Sequence, residues 1–333
     1  MTNWRPYPWQ QETWHRLVQP LQQGRLAHAL LLSGGEGNGK LFLAQGFAKK
    51  ALCREQQDYA CGQCKSCLLI QAASHPDYLL IEPDGKNIKV DQIRAMIDQL
   101  NQTAQLGGRK VIIIAPAEAM NTSAANALLK CLEEPSANSL LLLISHSPNR
   151  LLPTIRSRCQ QIIIDKPSFE QADLWLQSYV DNAVDREKLL QLANGNPLLA
   201  QSYAEKKSLI LYQKSQQLIC VLLQGSVNIV KEADDLLKVA GKTNAEKNDF
   251  VAQWLHIQQL LVWQMIQQHF IVDKTAEGIQ ALAQLIAQPM FIRRAYQMLE
   301  YLQKCLQEIQ GASNPNPQLL VEAVLLRWQS LPA

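Results

Sequence analysis

Charge is scarce in this chain. Only 18% of its 333 residues are Asp, Glu, Lys or Arg, the 32 basic and 29 acidic side chains nearly cancel, and the formal net charge is +3. So small a balance argues against a dedicated nucleic-acid binder with a dominant basic face, although it leaves room for a local patch. Long apolar runs are also missing. The run Leu140-Leu141-Leu142-Leu143-Ile144 is far too short to span a bilayer. The first residues, MTNWRPYPWQQETW, hold neither an apolar core nor a cleavage-like site. A signal peptide is therefore not expected, and the chain is expected to be cytoplasmic with no membrane association. What is present is 47% hydrophobic residues over a length that suits two or three domains, the composition of a globular protein with sizeable cores.

Cysteine is unevenly spread. Of eight, four crowd together as Cys53-x7-Cys61-x2-Cys64-x2-Cys67. Without a secretion signal, such clustering points to metal ligands rather than disulfides. Zinc takes four thiolates tetrahedrally, and each C-x2-C step lets neighbouring sulfurs wrap one ion. Lys65 and Arg54 would offset the negative charge of four thiolates. No histidine or carboxylate alternates with the cysteines, so no open coordination position is suggested. The expectation is one structural Zn2+; four unrelated buried cysteines are the alternative.

The first half reads as α/β. Apolar runs at 28–33, 78–81, 111–114, 140–144 and 162–164 lack polar alternation and fit strands of a parallel sheet buried on both faces. Helical patterns lie between them. One runs from about Leu41 to Leu52. A second places Val90, Ile93, Ile97 and Leu100 on one face, and a third, Ser123 to Glu134, groups Leu128, Leu129 and Leu132 before Pro135. A boundary falls near Asp165-Lys166-Pro167. Beyond it a small helical unit contains segments from Phe169, from Arg186 and from Leu198, the last after the turn Asn194-Gly195-Asn196-Pro197. From about 208 onward everything reads helical, including segments at 209–223, 250–270, 276–287, 292–309 and 319–328, with a loop at 311–317. The expected domains are 1–166, 167–207 and 208–333.

Between the first strand and its helix stands Gly34-Gly35-Glu36-Gly37-Asn38-Gly39-Lys40-Leu41. Up to Lys40 it fits the phosphate loop G-x-x-x-x-G-K-[ST]. Gly34 and Gly39 would let backbone N–H groups approach phosphates, and Lys40 could reach the terminal ones. An ordinary glycine-rich turn is the alternative. The position that should carry a hydroxyl for magnesium holds Leu41, which offers no oxygen. After Val111-Ile112-Ile113-Ile114, where an acidic pair should serve magnesium and the attacking water, the chain gives Ala115-Pro116. Glu118 lies nearby, beyond the proline, and is expected to be a surface residue. Both losses concern one ion, so neither ATP nor Mg2+ is expected to be used in this site. Further on, Ser157-Arg158-Cys159 follows a loop after the fourth apolar run. An arginine there, with its planar and permanently charged fork, would suit a neighbour's phosphoryl group, although a lone arginine is usually a solvated residue.

Taken together, these stretches resemble bacterial clamp loader subunits of the AAA+ class. Gln23-Gly24-Arg25-Leu26-Ala27-His28-Ala29-Leu30-Leu31, the loop at 34–40, the four cysteines, Asn126-Ala127-Leu128-Leu129-Lys130-x2-Glu133-Glu134-Pro135 and Thr154-Ile155-Arg156-Ser157-Arg158-Cys159 occur in that family's order. The match is dense from about 20 to 165. The broken ATP site places the chain beside the family's non-hydrolysing member rather than its ATPase subunits.

The resemblance implies an AAA+ α/β module with an inserted zinc module, a helical lid and a helical collar that joins subunits into a ring. It implies no ATPase of the chain's own, and service as an accessory subunit of the DNA polymerase III holoenzyme. Arg158, within its Ser157–Cys159 motif, matches an arginine that reaches into the ATP site of an adjacent ATPase subunit. The implied partners are ATPase subunits and a delta subunit in a hetero-pentamer, which loads the ring-shaped sliding clamp onto primed DNA. Leu198 stands where ATPase members carry a γ-phosphate-sensing arginine, and Ser145-His146 where they carry a sensing threonine. Two other readings remain: an autonomous AAA+ ATPase with a degenerate magnesium site, and a zinc-module nucleic-acid binder acting alone. The modest charge and the lack of a basic-aromatic stripe near 53–67 weigh against the second.

Overall fold

Five short runs of Leu, Ile and Val build one parallel sheet. In the computed structural model these are β1 (Ala29–Ser33), β2 (Tyr78–Ile81), β3 (Lys110–Ile114), β4 (Ser139–Ser145) and β5 (Gln160–Ile163). Their order is β2-β3-β4-β1-β5, and every pairing is parallel. Parallel neighbours need crossovers, and helices supply them. The described residues are 4–55, 57–106, 108–206, 208–223, 227–241, 243–270, 290–309 and 315–331. The chain forms two compact units, Met1–Gln201 and Ser202–Ala333.

In the first unit, the strand period of two sends alternate side chains to opposite faces. Leu31, Ile112, Leu141 and Leu143 pack with Ile93 and Met96 of α4 (Val90–Asn101) and with Leu128 and Leu132 of α5 (Thr122–Glu133). Leu30, Leu32, Val111, Leu140 and Leu142 pack on the other face with Trp14 and Leu17 of α1 (Gln11–Gln22) and with Leu43 and Phe47 of α2 (Lys40–Leu52). Burying each such side chain contributes about 1.5–3 kcal/mol. The central strands β1 and β4 are buried almost throughout, as their unbroken apolar runs predict. The expectation of two-sided burial fails for β5. It is an edge strand with one neighbour, and Gln160, Gln161 and Ile163 are exposed.

α3 (Lys65–Gln71) follows the cysteine cluster, and α6 (Pro153–Arg156) is a single turn before β5. α7 (Phe169–Leu176), α8 (Ala183–Leu192) and α9 (Pro197–Glu205) follow the sheet. Ser168 and Gln171 form a capping box at the start of α7, and the Asn182 side chain accepts the first N–H groups of α8. Arg186 ties α8 to α7. Its Nε donates to Asp173 at 2.8 Å and its Nη1 to the carbonyls of Val180 and Asp181 at 3.1 and 2.7 Å. Asn194 and Gly195 both take the left-handed conformation at the turn before α9.

The second unit holds α10 (Ser208–Leu223), α11 (Ile229–Leu237), α12 (Asn244–Phe270), α13 (Phe291–Ile309) and α14 (Pro317–Gln329). Its core gathers around Trp254, Phe291 and Trp328, and the Trp328 indole N–H donates to Gln258 Oε1 at 2.9 Å. Asn316 caps α14 with Pro317 at its first position. The helix expected over 276–287 and the positions 311–314 of the expected loop lie outside the described residues. Among the described residues no helix is long and apolar enough to cross a membrane. Periodicity predicts no helix for α1 or α3, whereas α11 falls within the stretch from about 208 that reads helical throughout.

Candidate functional site

The loop from Gly34 to Lys40 joins the end of β1 to the start of α2, where a phosphate loop must lie. Gly34, Gly37 and Gly39 have φ of 151°, 77° and 76°, which side chains other than glycine rarely adopt. Gly39 is the residue before the helix, and a Cβ there would meet the Tyr7 ring at 2.7 Å. A Cβ on Gly37 would strike the Asn196 side-chain amide, and one on Gly34 the Ile164 carbonyl. The chain therefore approaches its own loop as closely as a ligand would. Gly37→Ala is expected to destabilise the protein by about 1–3 kcal/mol through backbone strain and this collision. A lower thermal midpoint with an unchanged circular dichroism spectrum would show it.

Several polar groups of the loop have internal partners, although Asn38 Oδ1 has none among the described residues. Lys40 is buried, and its Nζ donates to the carbonyls of Gly34 at 2.9 Å and Gly35 at 2.6 Å. The ammonium is folded onto its own loop rather than extended. Burial lowers its pKa to about 8, against the opposing pull of Glu118 and Glu36. Asn38 Nδ2 donates to the Ile164 carbonyl at 3.2 Å, and Asn196 Nδ2 to the Glu36 carbonyl at 2.9 Å. From the N-terminal segment, Gln10 Nε2 and Trp9 Nε1 donate to the Asn38 carbonyl at 2.7 and 3.4 Å. Tyr7 and Trp9 stack with centroids 4.8 Å apart, and Trp175 of α7 meets both edge-on.

Glu118 corrects an expectation. It is half-buried rather than a surface residue, and its Oε1 accepts the N–H groups of His146 at 2.8 Å and Ser147 at 3.1 Å. Burial raises its pKa, but hydrogen bonds from its own N–H, the His146 N–H and the Ser145 hydroxyl outweigh that and hold the carboxyl below its ordinary range. Burial and then the Lys40 charge push His146 below its ordinary range, against the pull of Glu118 and Glu36. Glu118, just beyond β3, thus binds backbone N–H groups and, with Glu36, offsets the Lys40 charge. Leu41, Ala115 and Pro116 carry no side-chain oxygen, and Leu198 carries no charge.

The four cysteines come together. Their sulfurs all lie within 4.8 Å of one another, with Cys53 Sγ 3.9 Å from Cys64 Sγ and Cys61 Sγ 4.0 Å from Cys67 Sγ. Four thiolates about 2.3 Å from one tetrahedral zinc would sit about 3.8 Å apart, so the set could hold such an ion. The N–H groups of Gln63 and Cys64 point to Cys61 Sγ at 3.5 and 3.3 Å, and the Cys61 N–H to Cys53 Sγ at 3.4 Å, stabilising thiolate charge. Burial pushes the Cys53 and Cys67 thiols up. At Cys64 burial acts the same way, but hydrogen bonds outweigh it and bring the thiol to about 6. Close by, Ser66 Oγ lies 2.7 Å from His75 Nε2. His75 Nδ1 accepts the Asp77 N–H at 3.1 Å, so Nε2 carries the proton and Ser66 accepts it. This Ser-His pair is a structural tie between α3 and the turn before β2, with no activated hydroxyl.

Ser157-Arg158-Cys159 leaves α6 for β5. Cys159 is buried beside Leu151 and Ile155 in the core, and burial pushes its thiol up to about 11. Ser157 is exposed, and its Oγ donates to the Thr154 carbonyl at 3.1 Å. Arg158 is partly exposed. Its Nη1 donates to the same carbonyl at 3.0 Å, and its Nη2 lies 2.6 Å from Glu133 Oε1.

The sheet order and the loop after β1 make the first unit an AAA+ α/β module, here with an inserted tetracysteine cluster. The family model described as "DNA polymerase III, delta subunit" matches residues 9–168. DNA polymerase III subunit delta' of Pseudomonas aeruginosa PAO1 is 38% identical over 336 residues, covering 98% of each chain. The subunit delta' of Escherichia coli K12 is 32% identical over 97% of this chain and 95% of its own. That of Haemophilus influenzae Rd is 42% identical over 58% of this chain and 60% of its own. The chain belongs to the DNA polymerase III delta-prime subunit family, which bears out the resemblance read from its motifs.

Proposed function

We propose that this chain is a non-hydrolysing clamp loader subunit. On this reading it assembles with ATPase subunits and a delta subunit in a cytoplasmic hetero-pentamer that loads the sliding clamp onto primed DNA. Its three proposed parts are the AAA+ module at 1–166, a lid at 167–207 and a collar for oligomerisation at 208–333. The observation that carries the reading is the state of its own phosphate loop. Lys40 is spent on the Gly34 and Gly35 carbonyls, the Asn38 and Glu36 carbonyls are taken by Gln10, Trp9 and Asn196, and Leu41 and Ala115-Pro116 offer no side-chain oxygen to magnesium. Arg158 is partly exposed, with N–H groups left over for a phosphate. We assign it, with Ser157 and Cys159 as its mount, to the ATP site of a neighbouring subunit, where its charge would stabilise the transferring phosphoryl group.

Cys53, Cys61, Cys64 and Cys67 are proposed to hold one structural Zn2+, because four sulfurs at near-tetrahedral spacing leave no open coordination position. The zinc would supply folding energy rather than chemistry.

The alternative, an autonomous ATPase using Lys40, is separated by turnover of the purified chain alone. Magnesium-dependent ATP hydrolysis at background is expected, and it stays at background in Leu41→Ser, since a restored hydroxyl has no acidic pair to work with. Steady hydrolysis that Lys40→Ala abolishes would favour the alternative.

A further inference from the structure

The two motif segments at 126–135 and 154–159 meet in one ion pair. Arg158 Nη2 lies 2.6 Å from Glu133 Oε1, while Nη1 donates to the Thr154 carbonyl at 3.0 Å. Glu133 is the last residue of α5. A carboxylate there gains nothing from the helix, whose C-terminal end is the negative pole, and Glu134 follows it directly. Its placement is nevertheless firm. Asn121 caps the start of α5 by accepting the Ala124 N–H at 2.8 Å, and Leu128 and Leu132 are buried beneath it. On the other side, Cys159 is buried and Ile155 is fully enclosed, so the base of the arginine is fixed as well.

We infer that Glu133 is a positioning residue for Arg158, holding the guanidinium in the orientation in which it meets a neighbour's phosphate. The inference rests on the reading of Arg158 as a residue acting in trans. A free arginine side chain samples many rotamers, and ordering it during the reaction subtracts from the rate. Two fixed acceptors, one on each terminal nitrogen, order the fork in advance. They leave Nε–H and the second N–H of each terminal nitrogen for phosphate oxygens. Both partners are partly exposed, at 35% and 51% of their side chains, so the pair adds little to fold stability and its worth lies in orientation. A glutamine in the same place keeps an oxygen acceptor for Nη2, and an alanine does not.

The test reconstitutes the full chain with its ATPase and delta partners and measures ATP hydrolysis with clamp and primed DNA. Glu133→Ala is expected to lower kcat at the site Arg158 serves by about three- to tenfold with KM unchanged. Glu133→Gln is expected to retain most of the activity. Glu133→Ala combined with Arg158→Ala should be no slower than Arg158→Ala alone. Thermal midpoint and assembly on size exclusion should match the unsubstituted chain in each case. A normal or raised kcat in Glu133→Ala, alongside a lowered one in Arg158→Ala, would overturn the positioning role and leave the in-trans role standing. An unchanged kcat in Arg158→Ala would overturn both.

Discussion

Replacing Cys61 and Cys64 by serine is expected to take zinc from about one per chain to none and to unravel the segment from 53 to 71. Four thiols with sulfurs 3.9–4.0 Å apart in opposite pairs have no apolar core of their own to hold them there. Tyr59 stacks on Trp14, and Cys67 is buried, but Cys53, Cys61 and Cys64 remain partly open to solvent. Structural zinc contributes about 10–16 kcal/mol of apparent binding energy in small zinc modules, and in such sites binding energy is folding energy. The loss should be local at first, because the sheet keeps its own cores on both faces. Hydrogen exchange should show lost protection across α3 and the Ser66–His75 tie, with a lower thermal midpoint for the first unit. Metal analysis finding no zinc in unsubstituted protein prepared without chelator would refute the site.

Arg158→Ala is expected to depress hydrolysis at the served ATP site by about 10³–10⁵-fold, the worth of an arginine finger in phosphoryl transfer. Total ATPase of the assembly falls only by that site's share, so a site-resolved or single-turnover measurement is needed to see the full effect. The complex should still assemble, because the guanidinium's own contacts are one exposed ion pair and one carbonyl. Arg158→Lys should recover little. A lysine cannot present the planar fork that reaches two phosphate oxygens while held by Glu133 and Thr154.

The sequence showed the sheet clearly where strands are buried on both faces. The runs at β1, β3 and β4 carry no polar alternation because no face of them meets water. It misled at β5, where a run of three isoleucines, Ile162 to Ile164, marks an edge strand beside polar Gln160 and Gln161. Cysteine spacing located the four sulfurs that come together, a set that could hold a metal ion, since ligand chemistry fixes the distances along the chain. The long-range contacts to the carbonyls of the phosphate loop are not legible in the sequence. Gln10 reaches Asn38 across 28 residues and Asn196 reaches Glu36 across 160, and no local pattern encodes such contacts. A hint was available in Tyr7, Pro8, Trp9 and Gln10, an aromatic stretch stiffened by proline just ahead of α1. Glu118 was misplaced because its position after Pro116 suggested solvent. In the fold the chain turns back there, and the carboxylate meets the N–H groups that follow β4.

The most direct test of the central claim compares two substitutions in the reconstituted assembly, Arg158→Ala and Lys40→Ala, by ATP hydrolysis with clamp and primed DNA. If the chain serves another subunit's nucleotide and none of its own, Arg158→Ala loses the served site's activity and Lys40→Ala, once shown to fold and assemble, hydrolyses at the unsubstituted rate. Loss of hydrolysis in Lys40→Ala with full activity in Arg158→Ala would contradict the account.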